Sequence, residues 1–179
     1  FIQVVPRDMY RYGYQLAIDT ETGLLLKTQT VSLDGAVLER FQFADIQIGE
    51  PETDGTQVEL IHHAEHSHVD EARSGAVLSE SPWQVNWLPR GFELTDGLQL
   101  SPAEKTYTDG LAVFTVYLED LPELSQPGDG RARQGGTTAY TRGMLIDGKP
   151  ALVTVLGEVP VSTARMVADS VQRGVVDAN

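Results

Sequence analysis

Residues 83–92 read Trp-Gln-Val-Asn-Trp-Leu-Pro-Arg-Gly-Phe and hold both tryptophans of the chain. Side chains of an extended segment alternate between faces, so Trp83, Val85 and Trp87 share one face. Pro89 and Gly91 then bend the chain, and Phe92 opens a new strand. A polar, acidic stretch precedes this segment and a series of apolar runs follows it. The segment therefore reads as the start of a compact C-terminal domain, residues 83–179, with most of its aromatic side chains in the core.

C-terminal to it, strands are expected at 84–88 and 92–98. Residues 111–118 are apolar on both faces, the pattern of a central strand. Gly128-Asp129-Gly130 marks a loop. Residues 137–146 form a strand, Asp147-Gly148 a hairpin turn, and 151–156 the apolar return strand. Ala164, Val167, Ala168 and Val171 recur at helical spacing, with Ser162 or Thr163 as cap and Gly174 as stop. Strands closed by one helix predict an α+β fold on an antiparallel sheet.

N-terminal to it, residues 1–48 read as antiparallel strands. Tyr10, Tyr12, Tyr14, Leu16 and Ile18 alternate with polar or small residues, Asp19 to Gly23 is a turn, and a second strand runs over 24–33. Asp34-Gly35 is a hairpin signal, and a third strand covers 36–48 with a bend near Asp45. Three strands bury too little to stand alone. Their aromatic face needs cover from earlier chain or from a second subunit in a homodimer. Residues 49–82 form an acidic linker: 49–80 carry eight acidic residues and one basic residue, Arg73.

The 179 residues have a net charge of −13. This argues against nucleic acid as partner, since phosphate recognition needs a basic field. No apolar run approaches the roughly 20 residues of a membrane helix. The chain starts at Phe1, as expected of a processed product or a fragment. It has no cysteine, which removes disulfides, thiolate nucleophiles and cysteine-held zinc.

All four histidines, His62, His63, His66 and His68, lie in the linker. His62-His63-Ala64-Glu65-His66 spells the inverted zinc-peptidase pattern, which needs a long helix and a third ligand. In an acidic linker with Gly75 close behind, a solvated histidine-rich segment is the better reading, and no metal or cofactor is expected. No Ser/His/Asp set, phosphate loop or carboxylate pair across a cleft can be placed. One basic feature stands out: Arg131, Arg133 and Arg142 occur with no acid between them, interleaved with Gly135, Gly136 and Tyr140. Arginine suits bidentate recognition of carboxylates, and a glycine-rich loop beside a strand edge lets another chain approach the backbone. The solvated-loop alternative stands beside this reading.

Several blocks resemble a known family. Arg11-Tyr12-Gly13-Tyr14-Gln15-Leu16, residues 19–27 (Asp-Thr-Glu-Thr-Gly-Leu-Leu-Leu-Lys) and Leu38-Glu39-Arg40-Phe41-Gln42-Phe43 resemble the end of the large domain of MucB/RseB proteins. Trp87-Leu88-Pro89-Arg90-Gly91-Phe92 resembles the start of that family's small domain, and residues 133–142 and 155–160 resemble its later blocks. The resemblance implies a non-enzymatic periplasmic regulator of the envelope-stress sigma factor. Its large domain would be an open, lipoprotein-carrier-like half-barrel, of which this chain holds the last strands. Its small domain would grip the periplasmic segment of a transmembrane anti-sigma factor of the MucA/RseA type, shielding it from site-1 proteolysis. Lipid or lipopolysaccharide would release it. From residue chemistry, the expected partner surface is Arg131, Arg133, Gly135, Tyr140 and Arg142, with Trp87, Leu88 and Phe92 as a second patch. Two other readings remain at this stage: a lipid or lipoprotein carrier module, and a zinc peptidase through His62, Glu65 and His66.

Overall fold

A computed structural model describes residues 1–47, 49, 83–95, 101–126 and 128–173. The expected linker, Gly49 apart, and its histidines lie outside these residues. Among the described residues the fold is α+β: two antiparallel sheets, a short two-stranded ribbon and one helix near the C-terminal end.

The N-terminal sheet has four strands in sequence order, β1 (Ile2–Val4), β2 (Gly13–Ile18), β3 (Leu25–Val31) and β4 (Val37–Gln42). The turns sit at the expected acidic-glycine sites. In the first, the Asp19 carboxylate accepts from the Thr22 amide at 2.9 Å and the Thr22 hydroxyl at 2.6 Å. These bonds hold the Asp19 carboxyl below the usual carboxylate range. The structure departs from the expected strands in three ways, the first being β1, a fourth strand ahead of the three expected. Tyr10 and Tyr12 precede β2 instead of lying in it, and β4 stops at Gln42, before the expected bend at Asp45. Irregularities in register fall instead at Ala17/Ile18 and Thr30/Val31.

The C-terminal sheet runs β6 (Glu93–Leu94), β7 (Glu104–Thr108), β8 (Val113–Asp120), β11 (Lys149–Gly157), β10 (Thr137–Ile146), β9 (Gly130–Gln134) in spatial order. β8 and β11 are central, as their two-sided apolar runs require. Asp147 and Gly148 both have positive φ, 53° and 77°, the backbone of a two-residue primed hairpin between β10 and β11. β7 and β9 were not anticipated as strands, because their polar sequences Glu-Lys-Thr-Tyr-Thr and Gly-Arg-Ala-Arg-Gln carry little apolar alternation.

The helix α1 (Val161–Asp169) packs Ala164, Val167 and Ala168 on the sheet. Its N-cap is Pro160, with no side-chain cap. Neither Ser162 nor Thr163 serves. The Thr163 hydroxyl is buried and donates to the Tyr10 carbonyl at 3.0 Å, across to the N-terminal unit. The helix also ends at Ser170, ahead of Gly174, because the chain re-enters an extended state as β12 (Val171–Arg173). β12 pairs with β5 (Trp83–Val85), so the tryptophan segment closes onto the end of the chain and not onto the main sheet.

The core lies between sheet and helix. Phe114, Val116, Val153, Val155 and Val159 are fully buried. Trp83 caps it, donating from Nε1 to the Pro102 carbonyl at 2.9 Å, with Lys105 Nζ 5.1 Å from the ring centroid. Burial there pushes the Lys105 ammonium down and the Tyr107 phenol up to about 12.

Candidate functional site: an open strand edge and the junction behind it

Among the described residues β9 pairs only with β10, so its other side is a sheet edge. All five of its residues are exposed. Opposite residues share a face: Arg131 faces Tyr140 and Arg133 faces Thr138. Tyr140 and Thr138 point into the core, so both arginines lie on the helix side of the sheet. There a groove of about 930 Å³ runs between the edge and α1, lined by the basic Arg131 and Arg165, the acidic Asp129 and Asp169, and Tyr140 and Met166 among others.

The expected site residues separate into three groups. Arg131 is exposed and has no ion pair among the described residues. Arg142 is engaged: it meets Asp169 of α1 at 2.5 Å, and Arg165 approaches the same carboxylate at 3.8 Å. Tyr140 is 7% exposed and forms floor, not surface. Arg133 is exposed but faces Asp34, whose carboxyl is held down chiefly by the Ser32 hydroxyl, with a smaller contribution from Arg133. Gly135, at φ 57°, lies in the β9–β10 turn against Glu39.

The second expected patch is built into packing. Phe92 is 5% exposed and rests 5.1 Å from the Phe114 ring. Leu88 and Trp87 pack on the core, and Trp87 meets Tyr10 edge-on at 5.2 Å. This corner joins the two units. Trp87 and Leu88 are half-buried there, and Phe92 is buried.

The junction itself was not legible in the sequence. Arg11 donates to Asp8 at 3.2 Å, to Asp109 at 2.5 Å and to the Arg90 carbonyl at 2.6 Å, and its guanidinium lies 5.2 Å from the Phe92 ring centroid. On the other side, the Gly136 amide donates to Glu39 Oε2 at 3.2 Å. A Cβ on Gly135 would meet Glu39 Oε2 at 2.9 Å, and one on Gly136 would meet Thr30 Cγ2 at 3.2 Å. The glycines therefore serve the close approach of the N-terminal sheet as well as the turn. Spacing along the chain carries no signal for contacts 97 or 98 residues apart.

Comparison with known proteins places this geometry in context. The family model for the MucB/RseB C-terminal domain matches residues 77–172, and that for the MucB/RseB N-terminal domain matches 1–73. The sigma factor AlgU regulatory protein MucB of Pseudomonas aeruginosa is 37% identical over 96% of the chain. The sigma-E factor regulatory protein RseB of Haemophilus influenzae is 28% identical over 96%. The chain spans about half the length of these relatives, 55% and 54%. A solved structure of MucB in complex with MucA(peri) aligns with a TM-score of 0.74 at 34% identity, covering 97% of this chain and 61% of that one. A crystal structure of MucB aligns at 0.59 with 32% identity, covering 94% and 55%.

Proposed function

Since the chain belongs to the MucB/RseB family, we propose that it is part of a periplasmic regulator that holds the periplasmic segment of a MucA-type anti-sigma factor. Held in this way, the segment is shielded from the protease that starts its degradation, and the sigma factor stays restrained. The role is one of binding and requires no catalytic group. The observation that carries the site is the open β9 edge, with Arg131 exposed beside the groove against α1. An extended peptide adds to such an edge through its main chain, and the flanking guanidinium takes a carboxylate of the incoming strand. Local charge supports this: Arg131 carries no ion pair among the described residues and shares β9 with the exposed Arg133, in a chain with net charge −13.

The N-terminal sheet we assign to the open, lipoprotein-carrier-like half-barrel of the family's large domain. Exposed Phe41 (54%) and Phe43 support this reading, since such side chains belong under a further layer. The same exposed face favours a lipid-contacting role for the whole protein as the release signal.

Titration of a MucA-type periplasmic peptide into the chain tests the site. Arg131→Ala is expected to weaken binding about tenfold, about 1.4 kcal/mol, because it removes a charged contact at a partly open edge. Its Tm should stay within about 2 °C of wild type, as for most surface changes. Wild-type affinity in both Arg131→Ala and Arg133→Ala would move the partner surface away from β9.

A further inference from the structure

The cavity between the two units holds a cluster that the binding role does not use. It measures about 230 Å³ and is lined by Tyr14, Thr28, Thr30, Glu39 and Phe41 from the N-terminal sheet and by Glu158 from the C-terminal unit. Two carboxylates, one from each side, thus share one small space. The Tyr14 hydroxyl is buried among them with no hydrogen-bond partner among the described residues. The backbone of Glu158 is tied to β8, its amide donating to the Val113 carbonyl at 2.9 Å. Glu39 is the residue that receives the Gly136 amide at the tip of the β9–β10 hairpin.

We propose that Glu39, Glu158 and Tyr14 form a proton-operated latch between the two units, closed by acid and loosened as pH rises, which fixes the tip of the β9–β10 hairpin. When both carboxylates are charged they repel across the cavity. One proton on Glu158 removes the repulsion and supplies a donor for Glu39 or for the Tyr14 oxygen. Around the cluster, Asp109 is neutralised by Arg11, and Asp34 lies within reach of Arg133. No cation faces Glu158 among the described lining residues. Burial raises the Glu158 carboxyl above its ordinary value, and Glu39 raises it further. Burial likewise pushes the Tyr14 phenol up to about 12, with Glu158 and Asp109 adding to the shift, so it stays a neutral hydroxyl. The sign follows from linkage. The docked state binds more protons than the separated state, so docking is strongest below the ordinary carboxylate value and is lost as pH rises through the raised one. The step from latch to partner edge rests on the β9 reading; the latch itself does not.

The chain has no cysteine, so spin labels can be placed at Glu21→Cys and Leu124→Cys, both exposed and outside the junction. In wild type, the narrow docked distance population is expected to fall about threefold from about pH 4, just below the ordinary glutamate value, to about pH 7.5, a modest shift because Glu158 is partly solvated. Glu158→Gln should hold the docked population high across the range. Glu39→Gln keeps an acceptor oxygen for Gly136 and should do the same, which covers the case in which the first variant folds poorly. A pH response identical in wild type and both variants would assign it to the linker histidines and overturn the latch; so would a wild-type population that does not change with pH. None of these readouts involves the peptide. A working latch beside unchanged peptide affinity from acid to neutral pH would leave the latch standing and detach it from β9.

Discussion

Phe114→Ala is expected to cost about 3–5 kcal/mol, enough to lower the Tm of the C-terminal unit by about 12 °C or more. Phe114 is wholly buried on the central strand β8. Its ring lies 5.1 Å from Phe92 and 5.4 Å from Tyr107, the latter stacked at 27°. Truncation removes the transfer energy of the ring and both aromatic contacts, and leaves a cavity the neighbours cannot fill. Collapse is blocked on the paired strand: Gly157 approaches so closely that a Cβ there would lie 2.4 Å from the Phe114 Cα. Phe114→Leu, which refills much of the volume, should recover more than half the loss. Urea unfolding followed by tryptophan fluorescence measures both. A loss below about 1 kcal/mol for the alanine variant, within the range of ordinary surface changes, would show that this aromatic cluster is not the centre of the core.

Arg11→Ala is expected to cost about 2–4 kcal/mol, with the loss at the junction and not in either sheet. Asp109 is the reason. Its Oδ1 accepts from the Leu111 and Ala112 amides at 3.0 and 2.8 Å, so the carboxylate is bound into the β7–β8 turn and cannot swing out to water. Its Oδ2 is met by Arg11 at 2.5 Å, and the side chain is only 9% exposed. Removing the guanidinium leaves a buried charge half paired, the costly case. It also frees the Arg90 carbonyl and uncovers the Phe92 ring. Arg11→Lys should rescue little, because an ammonium cannot reach Asp8, Asp109 and the Arg90 carbonyl together. Hydrogen exchange locates the effect: faster exchange at the junction with β8, β10 and β11 unchanged is the expected pattern, and uniform loss across both sheets is the contrary one.

Much of the fold was legible without coordinates. The β10–β11 hairpin was readable because two strand-like runs flank Asp147-Gly148, which admits positive φ at both turn positions. The central place of β8 was readable from its two apolar faces. Strands β7 and β9 were not, since each is held by its neighbour's ladder more than by its own apolar pattern. The basic run at 131–142 was visible as a local excess of arginine, yet its residues divided on folding: Arg131 stayed open, Arg142 met Asp169, and Tyr140 went into the core. Residue type marks what a side chain is able to bind, and neighbours decide whether it is free to do so.

What belonged to the sequence alone was the local and periodic part: the antiparallel α+β class, the hairpin turns, the closing helix and the resemblance carried by its blocks. These depend on near neighbours and on alternation, which the chain states directly. What only the tertiary structure decided was the docking of one unit on the other. Thr163 left its expected cap to reach Tyr10, the tryptophan segment paired with the chain end, Arg11 tied Asp109 to Arg90, and Glu39 received the amide of Gly136. Each is a contact between residues distant along the chain, and it forms because burial of both sheets brings those groups within hydrogen-bonding reach.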